Sequence, residues 1–476
     1  MLIQGKGFNP SSFRKLVVGI DKRIPLASGK SSRYINLDNA ASTPTLYPVM
    51  DRLNEFMDWY SSVHRGTGFK SMVSTQVYDH AHEIVGRFVN ANPVTNTVIF
   101  VKNTTEAINK LSYRLGLSKN DIVITTTMEH HSNDLPWRSK AQVVYISVNE
   151  DGSLNYHDLE DKIKAHRNRL KLVAVSGASN VTGYKNDIHR IASLAHRAGA
   201  PVFVDAAQLA PHSPVDMKPD GHPEHIDYLA FSAHKIYAPF GTGVLIGPKR
   251  TFERGCPEYS GGGTIKIVTH SGVEWAPLPD KEEAGSPNVV GGVALAIALE
   301  YLRKLGMDRI EEYEKSLTSY TLQKLKEIKG ITIYGENDPQ RLDNRVGVIT
   351  FNLKGIPHSL VASALAWEGG IAVRNGCFCA HPYILKLLNL SDEQVSMIQH
   401  RIRVGDRSEI PGMVRISLAA YNNKRDIDRT AAILHRINGM AESGELSKRY
   451  ELSRETGSYR PVDVEVKFDR FFSFSR

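Results

Sequence analysis

Phe231-Ser232-Ala233-His234-Lys235 closes a short apolar run that begins at Tyr228, and it is followed by Pro239 and the glycines of Gly241-Thr242-Gly243. The run reads as a buried strand that stops at a lysine. Upstream, Val202-Phe203-Val204-Asp205-Ala206-Ala207-Gln208 ends a second apolar run on a carboxylate. A lone lysine in such a place is ordinarily a solvated charge, because lysine is rarely buried without a partner. An acid and an amine at the ends of two successive apolar runs point instead to one shared site.

The pattern around these runs alternates strand and helix from residue 34 to residue 300. Strands are expected at 97–101, 121–126, 143–148, 170–175, 201–204, 228–231 and 243–246. They are short, β-branched and apolar on both faces, as buried strands of a mainly parallel sheet are. Helices are expected at 105–115, 154–166 and 187–198. In the last of these Ile188, Ile191, Ala192, Leu194 and Ala195 share one face. The fold class is therefore α/β: a three-layer α/β/α large domain with a mainly parallel sheet.

A helix at 293–305 leads into a smaller α+β domain, residues 301–440. Its strands are expected at 331–334, 346–352, 371–374 and 414–418, and its helices at 316–328, 359–367 and 426–437. Residues 1–33, where Phe13, Leu16, Val17 and Ile20 recur at helical spacing, should pack with that small domain. Residues 441–476 form a tail. Its stretch from Val462 to Phe468 alternates like an edge strand or partner-binding segment, and the aromatic rings of Phe471, Phe472 and Phe474 should dock on the body.

Composition narrows the function. The chain has 476 residues, 41% hydrophobic and 23% charged, with a formal net charge of +8. Its Lys and Arg are dispersed among acids, which suits attraction of anionic ligands better than a nucleic-acid site. No apolar run is long enough to span a membrane. Three cysteines, Cys256, Cys377 and Cys379, are too few for a disulfide framework and suit reduced thiols in a cytoplasm.

A strand-end lysine and a strand-end carboxylate are what pyridoxal 5'-phosphate requires: an amine to form an imine and an acid to keep the ring nitrogen protonated. Lys235 and Asp205 are those groups. Gln208 suits the ring's phenolic oxygen. Asn103-Thr104-Thr105-Glu106 opens a helix after a strand, and hydroxyls and N–H groups there bind phosphate. Ser232 and His234 add donors. His130, in Glu129-His130-His131, sits where an imidazole stacks on the ring. The pair His130-His131 lacks a metal-binding partner at helical spacing, so no metal is expected. Asn180 lies at the same sheet edge.

These segments, in this order, resemble fold-type I pyridoxal-phosphate enzymes of the class V aminotransferase group, closest to its cysteine desulfurase/selenocysteine lyase branch. The matching stretches include Leu37-Asp38-Asn39-Ala40-Ala41-Ser42, Met128-Glu129-His130-His131-Ser132-Asn133 and Ala372-Val373-Arg374-Asn375-Gly376-Cys377-Phe378-Cys379. The resemblance implies that Cys379, in register with the branch's Arg-x-Gly-x-x-Cys pattern, is the sulfur-accepting nucleophile. Arg374 and His381 are the neighbours expected to favour its thiolate.

The resemblance further implies that Arg415 clamps the substrate carboxylate, with Arg374, Asn39 and Ala40 nearby, and that Ser286 reaches a neighbour's phosphate in a homodimer. The substrate would be L-cysteine or another small amino acid, and the sulfur would pass to an acceptor protein. A class V aminotransferase or epimerase with an incidental Cys379 stays open. So does a Cys377–Cys379 relay.

Overall fold

The computed structural model describes residues 8–474. Seven strands build the main sheet: β1 (Asn96–Val101), β2 (Ile122–Thr126), β3 (Gln142–Ile146), β4 (Leu170–Ser176), β5 (Val202–Asp205), β6 (Tyr228–Ser232) and β7 (Gly243–Pro248). Their order is β1-β7-β6-β5-β4-β2-β3. Only β7 runs antiparallel to its neighbours. The other pairings are parallel. Because β7 reverses twice, β1 points the same way as β6. The carboxyl ends of β1, β2, β4, β5 and β6 therefore share one edge, where open α/β sheets hold ligands.

The alternation along each strand separates two apolar layers. Val173, Val175, Val202 and Val204 share a core with Ile188, Ile191, Ala192 and Ala195 of the helix Ile188–Arg197. Leu172, Ala174 and Phe203 face the other way, onto Ile108 and Leu111 of the helix Thr104–Arg114. Both faces are covered, which is why these strands read as unbroken apolar runs. Gly243 opens β7 against Asn103; a Cβ there would lie 2.6 Å from the Asn103 Cα. Its bare backbone lets the start of the helix Thr104–Arg114 sit on the sheet edge.

The small domain is a four-stranded antiparallel sheet of β8 (Ile331–Tyr334), β9 (Val348–Leu353), β10 (Arg374–Gly376) and β11 (Met413–Ser417), in the order β8-β9-β11-β10. The helices Met307–Lys326, His358–Gly369 and Lys424–Glu442 supply its core partners. Among the described residues no helix is long and apolar enough to cross a membrane.

Several expectations give way to the structure. The N-terminal helix is only Pro10–Arg14, and Phe13 and Val17 sink into the large-domain core. That segment also meets the small domain: the Phe8 and Tyr313 rings lie 5.6 Å apart, Ala27 N donates to Trp367 O at 2.9 Å, and Arg14 and Arg33 each lie 2.8 Å from the buried Asp426. Ile35 and Leu37, placed by sequence in the large domain, belong to the small-domain core, because Ile35–Asn36 pairs in parallel with Ile371–Ala372. The expected strand 371–374 is accordingly two short strands.

In the tail, a hairpin forms at Tyr450–Ser453 and Ser458–Pro461, ahead of the alternating stretch, which carries no strand. Tyr450 is buried there, its hydroxyl 3.1 Å from Glu368. Phe471, Phe472 and Phe474 do not dock; all three are exposed.

Asp426 also caps its own helix with Asn423 and receives Asn422 Nδ2. Replacing it by Ala strands two arginines and removes the half of the capping box that accepts from Asn423 N. Asp426→Ala should lower unfolding stability by roughly 2–4 kcal/mol in urea titration, in line with breaking a buried ion pair from one side.

Candidate active site

A cavity of about 490 Å³ opens at the shared strand edge. Its lining joins the loops after β1, β2, β4, β5 and β6 to β10, β11 and the cysteine loop of the small domain. Thirteen of the fifteen residues singled out in the sequence line it: Lys235, Asp205, Gln208, His130, Thr104, Thr105, Asn180, Ser232, His234, Ala40, Arg374, Cys379 and Arg415.

Two do not. Asn39 is buried beside the cavity, where its Nδ2 donates to Ser417 O at 2.8 Å and Asn422 Oδ1 at 3.1 Å and its Oδ1 accepts from Tyr421. It ties the segment around Asn36 to residues 417–422, outside the cavity lining. Ser286 is exposed and outside the lining.

The parallel register of β5 and β6 aligns Asp205 with Ala230, and Lys235 follows β6 in a single 3-10 turn, Ala233–Lys235. Burial pushes the Lys235 amine down to about 8, against the favourable pull of Asp205. Burial raises Asp205, which accepts one N–H, from Ala207 at 3.0 Å. Gln208 Nε2 donates to Ala40 O at 2.7 Å, while its Oε1 is buried without a partner.

The His130 Nδ1 accepts from Ser132 N at 3.1 Å, so a neutral ring carries its proton on Nε2. Burial, then the charge of Lys235, hold its pKa down to about 3. His234 is similarly lowered to about 4. Hydroxyls gather at the helix start: Thr104 Oγ1 and Ser232 Oγ are 2.7 Å apart, as are Thr105 Oγ1 and Ser132 Oγ. Asn103 caps that helix by accepting from Glu106 N. Glu129 sits beneath this layer, pushed up to about 7 by burial, and ties β2 to β4 through Ser176 N and Oγ.

The thiol comes from the small domain. Phe378 and Cys379 both adopt left-handed backbone, φ 48° and 55°. Two hydrogen bonds from the large domain fix this unusual turn: Asn180 Nδ2 to Phe378 O at 2.7 Å, and His131 N to Cys379 O at 2.7 Å. Asn180 thus serves the thiol loop, and its carbonyl accepts from Arg415 Nη1 at 3.0 Å. Cys379 is exposed and lines the cavity. Cys377 is buried, its Sγ donates to Pro411 O at 3.1 Å, and burial raises it to about 11. A thiol so held is packing material, which argues against the relay.

His381 engages His131, with rings stacked at 4.9 Å. Arg374 engages Asp38 at 3.2 Å. Asp38 was not among the residues chosen from sequence. Its other oxygen lies 3.1 Å from Arg415 Nη2. Nothing in local spacing signals it, because both partners lie far along the chain.

Residues 35–430 match the family model described as aminotransferase class-V. The chain belongs to that family. A Halalkalibacterium halodurans protein named "Probable cysteine desulfurase" is 35% identical over 433 residues, 89% of this chain and 96% of that protein. A Staphylococcus aureus (strain Mu50) protein of the same name is 37% identical over 420 residues, 86% and 92% of the two chains. The apo structure of a cysteine desulfurase from Thermococcus onnurineus NA1 superposes with a TM-score of 0.77 at 30% identity, covering 92% of this chain and 99% of that one. The fold of this class V family member is thus that of the Thermococcus protein over nearly the whole of both chains.

Two measurements check the electrostatics. In protein without added cofactor, reductive methylation of Lys235 read by mass spectrometry should rise with a midpoint near pH 8, well below that of surface lysines. Between the unfolded imidazole value of 6.5 and about 3, the unfolded chain binds a proton at His130 that the folded site refuses. Stability should therefore fall as pH drops through that interval. The urea midpoint of His130→Gln should fall less between pH 7 and pH 5 than that of the unaltered protein.

Proposed function

We propose that this chain is a pyridoxal 5'-phosphate-dependent cysteine desulfurase that converts L-cysteine to L-alanine and leaves the sulfur on Cys379. The observation that carries the reading is one cavity wall on which Lys235, Asp205, Cys379 and Arg415 meet. The names of the relatives support it. The residues fit the cofactor: a buried acid with a single N–H partner, a lysine of lowered pKa, and a buried Gln208 oxygen without a partner.

Lys235 would hold the cofactor covalently, Asp205 its ring nitrogen, Gln208 its phenolic oxygen and His130 its ring face. Thr104, Thr105, Ser232 and His234 would hold its phosphate. Once bound, the group supplies an aldehyde for the substrate amine and a ring that takes up electrons released at Cα.

The remaining steps belong to the chain. Arg415 and Arg374 take the substrate carboxylate. Lys235, neutral for much of the time near pH 8, takes the Cα proton. The Cys379 Sγ, as thiolate, attacks the substrate sulfur. An S–S bond forms, the C–S bond breaks with its electron pair left on carbon, and protonation of that carbon yields L-alanine. The Cys379 persulfide then passes its outer sulfur to a thiol acceptor.

We place this chemistry in the cytoplasm, consistent with three free cysteines. The working unit would be a homodimer, in which the exposed Ser286 completes the partner's phosphate site.

Protein given pyridoxal 5'-phosphate should turn yellow, and borohydride should fix the label on Lys235. With L-cysteine and a dithiol it should release alanine and sulfide. Cys379→Ala should lower turnover by at least about 100-fold, as expected for loss of a nucleophile. Cys377→Ser, which keeps the hydrogen bond to Pro411, should retain most of it. Oxoacid production insensitive to Cys379→Ala would overturn the reading in favour of transamination.

A further inference from the structure

The turn that brings His130 to the cavity gives its next imidazole to the thiol loop. It is a single 3-10 turn, His131–Asn133. Asn133 Nδ2 donates to the buried Glu129 at 2.7 Å, and Asn133 Oδ1 accepts from Trp137 Nε1 at 3.0 Å, so the turn is a fixed part of the large domain. From this turn the His131 N–H donates to Cys379 O at 2.7 Å. Two residues on, the His381 N–H donates to His131 Nε2 at 3.2 Å, and His381 Nδ1 lies 3.0 Å from the same Nε2.

These contacts fix the protons. A backbone N–H can only donate, so His131 Nε2 is the acceptor and the neutral ring carries its proton on Nδ1. The proton between the two rings therefore sits on His381 Nδ1. The rings stack at 4.9 Å with 10° between their planes. Burial lowers the pKa of both imidazoles, which favours the neutral forms that this pairing uses. The Nδ1 proton of His381 is thus committed to His131 and not to the thiol.

The loop needs such support. Phe378 and Cys379 both hold left-handed backbone, which non-glycine residues keep only where their surroundings impose it. The helix that follows, His381–Leu387, has Ala380 at its N-cap, and no side chain of its own caps it there. His131 supplies a donor for the Cys379 carbonyl and an acceptor for the first N–H of that helix. One residue of the large domain so brackets the thiol on its C-terminal side, while Asn180 holds Phe378 O on the other. Neither His131 nor His381 lines the cavity.

Resting on the proposed desulfurase chemistry, we infer that His131 and His381 are positioning residues for the sulfur-transfer step: their shared hydrogen bond holds the Cys379 loop against the large domain, so that the thiol stays within reach of the substrate sulfur. Both act through Cys379. The steps that Lys235 performs do not depend on them.

The test separates the two kinds of step in the holoenzyme. His131→Leu removes the ring acceptor and leaves the backbone N–H. It should lower kcat for alanine release from L-cysteine by roughly tenfold or more, the scale of a misplaced reacting group, with KM changed by less than about twofold. Exchange of the Cα proton of L-alanine in D2O needs Lys235 and the cofactor but no thiol. Its rate should stay within about twofold. His131→Gln, whose side-chain oxygen can accept where Nε2 does, should restore most of the lost turnover. His381→Ala, at an exposed position, keeps the backbone donor and should show the same split at roughly threefold, as for loss of one hydrogen bond.

An unchanged kcat in either His131→Leu or His381→Ala overturns the inference. So does an equal loss of turnover and of L-alanine exchange, the result of a general disturbance, or a His131→Gln enzyme as slow as His131→Leu. His381→Ala decides alone if His131→Leu does not fold. An unaltered enzyme that exchanges L-alanine but never turns over L-cysteine would instead refute the desulfurase reading.

Discussion

The candidate site is built on a buried acid and a largely buried amine held at the ends of two adjacent parallel strands. β5 and β6 pair Phe203 with Tyr228, Val204 with Leu229 and Asp205 with Ala230. That register, imposed by apolar residues on both faces, brings Asp205 and the turn carrying Lys235 together without any direct salt bridge between them. Burial costs each its charged form, and their mutual attraction returns part of that cost. The rest of the site is arranged around this strained pair. Hydroxyls sit on one flank, a neutral imidazole beside them, and two arginines with their carboxylate on the small-domain side.

The second constraint is the join between domains. Asn39 is clasped by Ser417, Asn422 and Tyr421, and Arg14 and Arg33 close on Asp426. These contacts lie behind the cavity. They fix the small domain so that a thiol from one body reaches the sheet edge of the other. The bonds from Asn180 and His131 to the cysteine loop complete the alignment, and they explain how two successive non-glycine residues hold a left-handed backbone.

Most of the main sheet was legible in the sequence because buried parallel strands are continuous apolar runs with turn residues at their ends. The helix Phe69–Phe88 was not, since its buried face is built from Ser71, Ser74, Ala81 and Gly86 as much as from Tyr78 and Val85. Small residues that pack closely leave a weak apolar period. In the site, Lys235, Asp205, Gln208 and Cys379 were legible from strand ends and from one family pattern, and all four line the cavity. Asn39 lies outside the lining while its neighbour Ala40 lies in it, because the same stretch also bonds to Ser417, Asn422 and Tyr421. Asp38 escaped notice for the opposite reason: its meaning lies in two arginines brought to it only by folding. The tail deceived by pattern alone. Alternation from Val462 to Phe468 had no strand to pair with, while the hairpin ahead of it had the buried Tyr450 to anchor it.

Cys379 is at once part of the cavity wall and open to solvent. Under the proposed chemistry, a sulfur received at that position would already face solvent. Loading and unloading become separable in time. On that reading the loaded protein would be a reservoir, its filling set by amino-acid supply and its discharge by the arrival of a recipient.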